Sequence, residues 1–345
     1  MVFALPVIAA ERPVRTPPLR EVLIERAAPR LVRVSVTDRC DMACVYCRPS
    51  MNDGYLPAED RLSPAQWESL LEGLVREGVR RVRITGGEPL LFKGIVDVVA
   101  RIRALGVEDL ALTTNASRLA DLAAPLRAAG LQRINVSIDT LDPARFARLT
   151  RGGDLAEVLR GLEAARAQGF DEIKTNTVVL RGENDDELEA ITRWAWSRGI
   201  TPRFLEVMGI GEGGRIFREA LVTAAEMRAR LAHLLRDDDP RVEPDRGPAR
   251  YVRAREGAGR VGFISGSSDT YCAGCDRLRA TSDGFLRPCL ATSDGVDVSG
   301  DLRDGATPDR IAARLREAWS MKPDARWKGC TEVTARAVSM RATGG

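Results

Sequence analysis

A chain of 345 residues that is 44% hydrophobic and 29% charged can bury a sizeable core, enough for one barrel-sized domain plus a smaller one. Its 52 basic and 49 acidic side chains leave a net charge of +3, which argues against a nucleic-acid surface, and no apolar stretch reaches the length of a membrane span. Seven cysteines in odd clusters make a poor disulfide framework, and the single histidine, His233, rules out a His-rich metal site and reads as structural in its amphipathic segment.

No basic n-region precedes the apolar Val2–Ala10, so the chain is expected in a reducing cytoplasm, where clustered thiolates suggest metal. Residues 1–30 predict an extended arm. From Leu31 onward strand and helix patterns alternate. Strands are expected at Leu31–Val36, Arg81–Thr85, Leu110–Thr114, Arg133–Ile138, Ile173–Val179 and Arg203–Val207. Helices are expected at Pro64–Gly78, opened by a Ser63/Gln66 capping box, and at Gly94–Gly106, Ser117–Gly130, Leu155–Gly169 and Asp185–Gly199. Each ends on a glycine, as a left-handed terminating residue requires. Six strand–helix units predict an α/β fold with a parallel sheet, open or closed into a partial (β/α)6 barrel of the TIM type.

Buried parallel strands normally read as unbroken apolar runs, yet here one face is polar. Arg33 and Ser35 alternate with Val32, Val34 and Val36; Arg81, Arg83 and Thr85 oppose Val82 and Ile84. Asn135 and Ser137 oppose Ile134 and Val136, and Lys174 and Asn176 alternate with Ile173 and Thr175. With the apolar faces on the helices, the polar ones point into the lumen and suit an anion; surface ion pairs are the competing explanation for any one residue.

From about Arg215 the alternation gives way to a helix at Thr223–Leu235, an acidic Pro/Gly-rich passage at Asp237–Pro248, short strands and a helix near Pro308–Met321. The expected division is therefore an arm at 1–30, a barrel core at 31–214 and a C-terminal domain at 215–345.

Six cysteines fall in two groups. Cys40, Cys44 and Cys47 form a CxxxCxxC loop after the first strand, and Cys272, Cys275 and Cys289 follow in the C-terminal part. Zinc prefers four protein ligands, whereas three thiolates on a four-iron cube leave one iron open for a further ligand. A zinc knuckle completed by Cys330 is the alternative for the second group. Gly86-Gly87-Glu88-Pro89 follows the second strand, where glycines allow close backbone approach and the carboxylate can accept from an amine.

The CxxxCxxC loop with Tyr46 before its last cysteine, together with Gly-Gly-Glu-Pro, resembles the radical S-adenosylmethionine (SAM) superfamily. That resemblance implies a partial (β/α)6 barrel and a 4Fe-4S cluster on Cys40, Cys44 and Cys47, whose open iron chelates SAM for cleavage to methionine and a 5'-deoxyadenosyl radical. The segments LVRVSVTDRC, RVRITGGEPL, LTTN, INVSID, IKTN and CAGCDRLRATSDG are similar to those of the GTP 3',8-cyclase family, which serves molybdenum cofactor biosynthesis. The likeness spans residues 31 to 345.

Carried over residue by residue, it implies GTP contacts at Arg33, Arg83, Thr113, Lys174, Arg277, Leu278 and Arg279. SAM contacts are implied at Tyr46, Gly87, Ser137 and Met208. A second 4Fe-4S cluster is implied on Cys272, Cys275 and Cys289, and Gly344-Gly345 is implied to enter the active site. The family reaction abstracts hydrogen from ribose C3' of GTP, joins C3' to C8, and ends in one-electron reduction and protonation. Implied partners are an electron donor such as a flavodoxin or ferredoxin and a downstream cyclic pyranopterin monophosphate synthase; a homodimer is left open. Asp41 and Asp276 stand where the family usually has Asn, Arg81 where it has Lys, and Arg48 where it has Met. The runner-up is another radical SAM enzyme with an auxiliary cluster, such as a peptide-modifying one, and a zinc-dependent binding module is the reading from a different class.

Overall fold

The computed structural model describes residues 28–51, 54–238, 240–242, 247–269, 271–272, 275–323 and 340–343. The expectations for the arm at 1–27, for Cys330 and for Gly344-Gly345 fall outside these residues. Within them the predicted alternation is present. β1 (Leu31–Ser35), α1 (Pro64–Arg76), β2 (Arg81–Thr85), α2 (Ile95–Ala104), β3 (Asp109–Thr114), α3 (Leu119–Ala128) and β4 (Arg133–Ser137) open the chain. Two helices, α4 (Pro143–Thr150) and α5 (Leu155–Ala167), precede β5 (Glu172–Val179), followed by α6 (Leu188–Trp196) and β6 (Thr201–Glu206).

Local signals fix the helix ends. Ser63 and Gln66 form the expected reciprocal cap on α1. Gly78, Gly106, Gly130, Gly169 and Gly199, which follow α1, α2, α3, α5 and α6, all take the positive φ that a side chain would resist. The helix α4 was not anticipated; it is short, and Asp142 with Pro143 starts it as cap and first residue.

After β6 come α7 (Gly213–Ala220), α8 (Ala224–Arg230), β7 (Arg241–Val242), β8 (Arg250–Arg253) and β9 (Arg260–Ile264). The chain then runs through β10 (Arg277–Ala280), β11 (Phe285–Arg287), β12 (Val296–Asp297), α9 (Ser299–Arg303), α10 (Pro308–Ser320) and α11 (Met340–Thr343). The helix expected at Thr223–Leu235 ends at Arg230, with its Thr223/Glu226 box intact.

All strands join one sheet in the order β12-β11-β10-β1-β2-β3-β4-β5-β6-β9-β8-β7. The segment after Arg215 thus adds parallel strands at both edges of the six-stranded core: β10 on β1 and β9 on β6. Val32, Val34, Val82, Ile84, Leu112, Ile134 and Val136 all lie in the main apolar cluster with Trp67 of α1, Val98 of α2 and Leu162 of α5. The opposite parity, which carries the arginines, faces the lumen.

Candidate active site

The first cysteine group sits directly beyond the end of β1, on a loop held from three sides. Gly87 N–H donates to Thr37 O at 2.7 Å and Glu88 N–H to Arg39 O at 2.7 Å, so the glycine pair lies flat on the start of the cysteine loop. A Cβ on Gly87 would stand 2.3 Å from Arg39 O, and one on Gly86 2.6 Å from Thr37 O. What approaches these glycines closely is the protein's own backbone. The end of α4 supplies the second side, with Ala43 N–H and Val45 N–H donating to Thr150 O and Leu149 O, each at 3.0 Å. Guanidinium groups supply the third: Arg151 donates to Ala43 O, Arg48 O and Pro49 O, while the buried Arg48 donates to Cys40 O at 3.2 Å and Tyr55 Oη at 2.7 Å.

The Glu88 carboxylate accepts from Leu90 N–H, Thr114 Oγ1–H at 2.6 Å and Asn115 N–H at 2.7 Å, so it ties the loops after β2 and β3 together. Burial pushes it up to about 7. Asp41 accepts from Asn115 Nδ2 and Ser117 Oγ, extending the same network.

The thiols of this loop need a cation to ionise. Burial, with Glu88 nearby, pushes Cys40 up to about 12, and burial with Asp139 nearby raises Cys44 well above its ordinary value. A metal charge reverses this logic, because a coordinating thiol is deprotonated outright. Three such thiols on one short loop fit a metal–sulfur cluster. Tyr46 donates its hydroxyl to Asp139 at 2.6 Å, and Asp139 also accepts from Val178 N–H; burial pushes Asp139 up to about 6.

The second group lies at the other end of the strands. Cys272 and Cys275 precede the start of β10, and Cys289 follows β11, which runs antiparallel back toward that start. All three line one cavity, shared with the apolar Met208, Ile210 and Ala291. Burial pushes the Cys275 thiol up, but Arg277 and Lys322 outweigh it and hold the thiol below its ordinary value. A cavity walled by thiols and cations fits a second cluster. Among the described residues no three His, Cys, Asp or Glu side chains converge as a single-ion site requires, and a cube, with one thiolate per iron, does not ask for it.

Between the two groups lies the cationic lumen. The β10–β1–β2 register sets Arg279 beside Arg33 and Arg33 beside Arg83. Burial, then Arg279, Arg277 and Arg83, holds Arg33 well below the usual arginine range. Burial pushes Arg83 and Arg279 down to about 10 each. Crowded, desolvated guanidiniums are relieved by a polyanion, and their forks match phosphate oxygens.

The other expected substrate residues divide. Thr113, Asn135 and Lys174 share a register row, with Asn135 Nδ2 donating to Thr113 Oγ1 at 3.2 Å. Lys174 is buried against Tyr251 Oη and Glu172, each at 3.0 Å. Arg277 lies 4.4 Å over the Tyr271 ring. Leu278 faces the helices, fully buried in the apolar cluster, so its side chain is absent from the lumen. Ser137 lies beside Asn176 at the end of β4. The Met208 side chain lines the second-group cavity, while its carbonyl lies beside the missing Cβ of Gly213, which also borders Tyr46 O.

Arg83 carries the competing explanation as well, since it ion-pairs with Asp109, which also binds Arg133. Arg133 and Arg203 were missed. Both follow from the alternation already described, and Arg203 donates to Asn135 Oδ1 at 2.6 Å from a buried position. Arg279 Nη1 donates to the carbonyl of Thr343, which brings the described end of the chain to the arginine row.

The sequence profile of the Radical SAM superfamily matches residues 34–195, and that of Molybdenum Cofactor Synthesis C matches 200–327. The chain is 44% identical over 295 residues to a "GTP 3',8-cyclase" of Heliobacterium modesticaldum, covering 85% of this chain and 90% of the relative. One from Pelotomaculum thermopropionicum is 41% identical over 295 residues, covering 85% and 91%. Among solved structures, Streptococcus suis SuiB bound to S-adenosylmethionine superposes with a TM-score of 0.59 at 15% identity, over 84% of this chain and 68% of that one.

Proposed function

The chain belongs to the GTP 3',8-cyclase family of radical SAM enzymes, and on that premise we propose that it converts GTP to (8S)-3',8-cyclo-7,8-dihydroguanosine 5'-triphosphate for molybdenum cofactor biosynthesis. The observation that supports it most is the arginine row Arg279–Arg33–Arg83, desolvated and self-repelling, between two cysteine triplets. A triphosphate carries about four negative charges and would relieve that repulsion.

Cys40, Cys44 and Cys47 would hold one 4Fe-4S cluster and Cys272, Cys275 and Cys289 a second. The chemistry that the first would supply, with SAM bound, is one-electron reductive cleavage to methionine and a 5'-deoxyadenosyl radical. The residues of this chain place and shield. Arg33, Arg83 and Arg279 grip the phosphates, with Thr113, Lys174 and Arg277 on the same substrate. Tyr46, Ser137 and the backbone around Gly87 bound the SAM side, and Met208 stands between the two centres. Fixing ribose against the radical source in a dry lumen supplies the orientation that such chemistry requires. Leu278 acts through its backbone, since its side chain faces the helices.

The electron donor is a reduced flavodoxin or ferredoxin, and the product passes to a cyclic pyranopterin monophosphate synthase in the cytoplasm. For the peptide-modifying alternative, SuiB offers likeness of fold alone.

Anaerobically purified protein should be brown and carry about eight irons per chain. With SAM, a chemical reductant and GTP it should form 5'-deoxyadenosine together with the cyclised nucleotide. Formation stimulated equally by ATP would overturn the proposal. Arg83→Ala should weaken GTP binding in calorimetry by about tenfold or more, the loss expected for one charge-assisted contact. Unchanged affinity would leave Arg83 as a partner of Asp109 only.

A further inference from the structure

Lys322 follows the end of α10, and its ammonium reaches back across the C-terminal part of the molecule. Nζ donates to Arg277 O at 3.0 Å and to Pro288 O at 2.7 Å. Those two carbonyls belong to the two segments that carry the second cysteine group: Arg277 lies two residues after Cys275, and Pro288 immediately precedes Cys289. The ammonium also lies 4.6 Å over the Trp319 ring, and its charge helps hold the Cys275 thiol below its ordinary value.

Lys322 is half-buried, and a cation drawn out of water is normally paired. Among the described residues no carboxylate stands within ion-pair distance of Lys322, and the groups beside it that can take a negative charge are the thiols of Cys275 and Cys289. The choice of residue fits this place, because the chain has only four lysines among its 52 basic side chains. A compact ammonium with rotatable donors can reach both carbonyls at once while its charge faces the thiols.

We propose that Lys322 is a positioning residue of the second cluster: it clamps the two cysteine-bearing segments to each other and supplies the counter-charge for their thiolates. The inference rests on Cys272, Cys275 and Cys289 holding a 4Fe-4S cluster. A cube with three thiolates gains one negative charge when one electron takes it from the 2+ to the 1+ state. A fixed positive charge beside it favours the reduced state and raises the midpoint potential.

The test is an EPR-monitored redox titration of the full-length, reconstituted protein, with dithionite as electron source and Cys289→Ala identifying the second cluster's signal. Lys322→Gln keeps a donor for the carbonyls without the charge, and Lys322→Arg keeps the charge. The expected result is a second-cluster midpoint moved to more negative potential in Lys322→Gln, an unmoved first-cluster midpoint, and restoration toward the wild-type value in Lys322→Arg. Loss of the second cluster in Lys322→Gln with retention in Lys322→Arg would also support the proposal. An unmoved midpoint in Lys322→Gln, or equal shifts in the two variants, would overturn it and leave Lys322 a prop for α10. Wild-type protein with about four irons, unchanged by Cys289→Ala, would instead overturn the second cluster itself.

Discussion

Arg81 and Asp276 lie 195 positions apart in the chain and 2.5 Å apart in the fold. The resemblance leads one to expect Lys and Asn at these two positions, and here Arg and Asp meet in one ion pair. Arg81 is nearly buried while Asp276 is partly exposed, so removing the carboxylate takes an ion-pair partner from a buried guanidinium. We expect Asp276→Asn to lower stability by about 1–2 kcal/mol, and a double-mutant cycle with Arg81→Lys to show coupling of similar size. Additive melting shifts would mean that the pair contributes nothing jointly. Glu88 gives a residue-scale prediction in pH. Burial raises its folded pKa from 4.5 to about 7, so the folded state binds a proton more tightly than the unfolded chain. The sign follows: stability falls as pH rises from about 4.5 to about 7, by at most about 3 kcal/mol from this group. Glu88→Gln cannot ionise, and its melting temperature should lie furthest below wild type at the acid end of that window, with the gap narrowing toward pH 7. A gap of constant width across the window would show that Glu88 keeps its charge when folded.

At the scale of elements, the loop after β2 is the support for the first cysteine group. Gly87→Ala would force a methyl into Arg39 O, at a cost of about 3 kcal/mol or more if the loop stays put. The expected outcome is a folded chain that has lost the first cluster and keeps the second, read as iron falling from about eight to about four. Full iron content in that variant would mean that the loop can give way. Much of this architecture was legible because each strand has two chemically distinct faces, apolar toward the helices and basic or hydroxyl toward the lumen. The helix stops were legible because a left-handed terminating residue is so often glycine. The helix α4 was not, since eight residues carry too little periodicity. Arg203 was placed on the right strand, but its reach to Asn135 depends on how β4 and β6 curve toward each other. The contacts of Lys322 with Arg277 O and Pro288 O join distant segments through backbone groups, which leave no mark in a pattern of side chains.

Over the whole molecule the two cysteine groups belong to different supports. The first is held by the ends of β1 and β2, the end of α4, and the Tyr46–Asp139 bond. The second is held by β10, β11 and Lys322. Cys289→Ala should therefore leave the first centre assembled. We expect about four irons per chain, SAM affinity within about threefold of wild type, and slow reductive cleavage of SAM to 5'-deoxyadenosine with no cyclised nucleotide. Among the described residues Met208 borders both centres: it lines the second cavity, and its carbonyl borders the Gly213 turn beside Tyr46. If loss of the second cluster weakened SAM binding by tenfold or more, coupling through Met208 would be the structural route. Met208→Leu, which keeps the volume and removes the sulfur, should then leave that coupling intact, whereas Met208→Ala should abolish it. Cyclised product from Cys289→Ala at the wild-type rate would separate the second cluster from the substrate altogether.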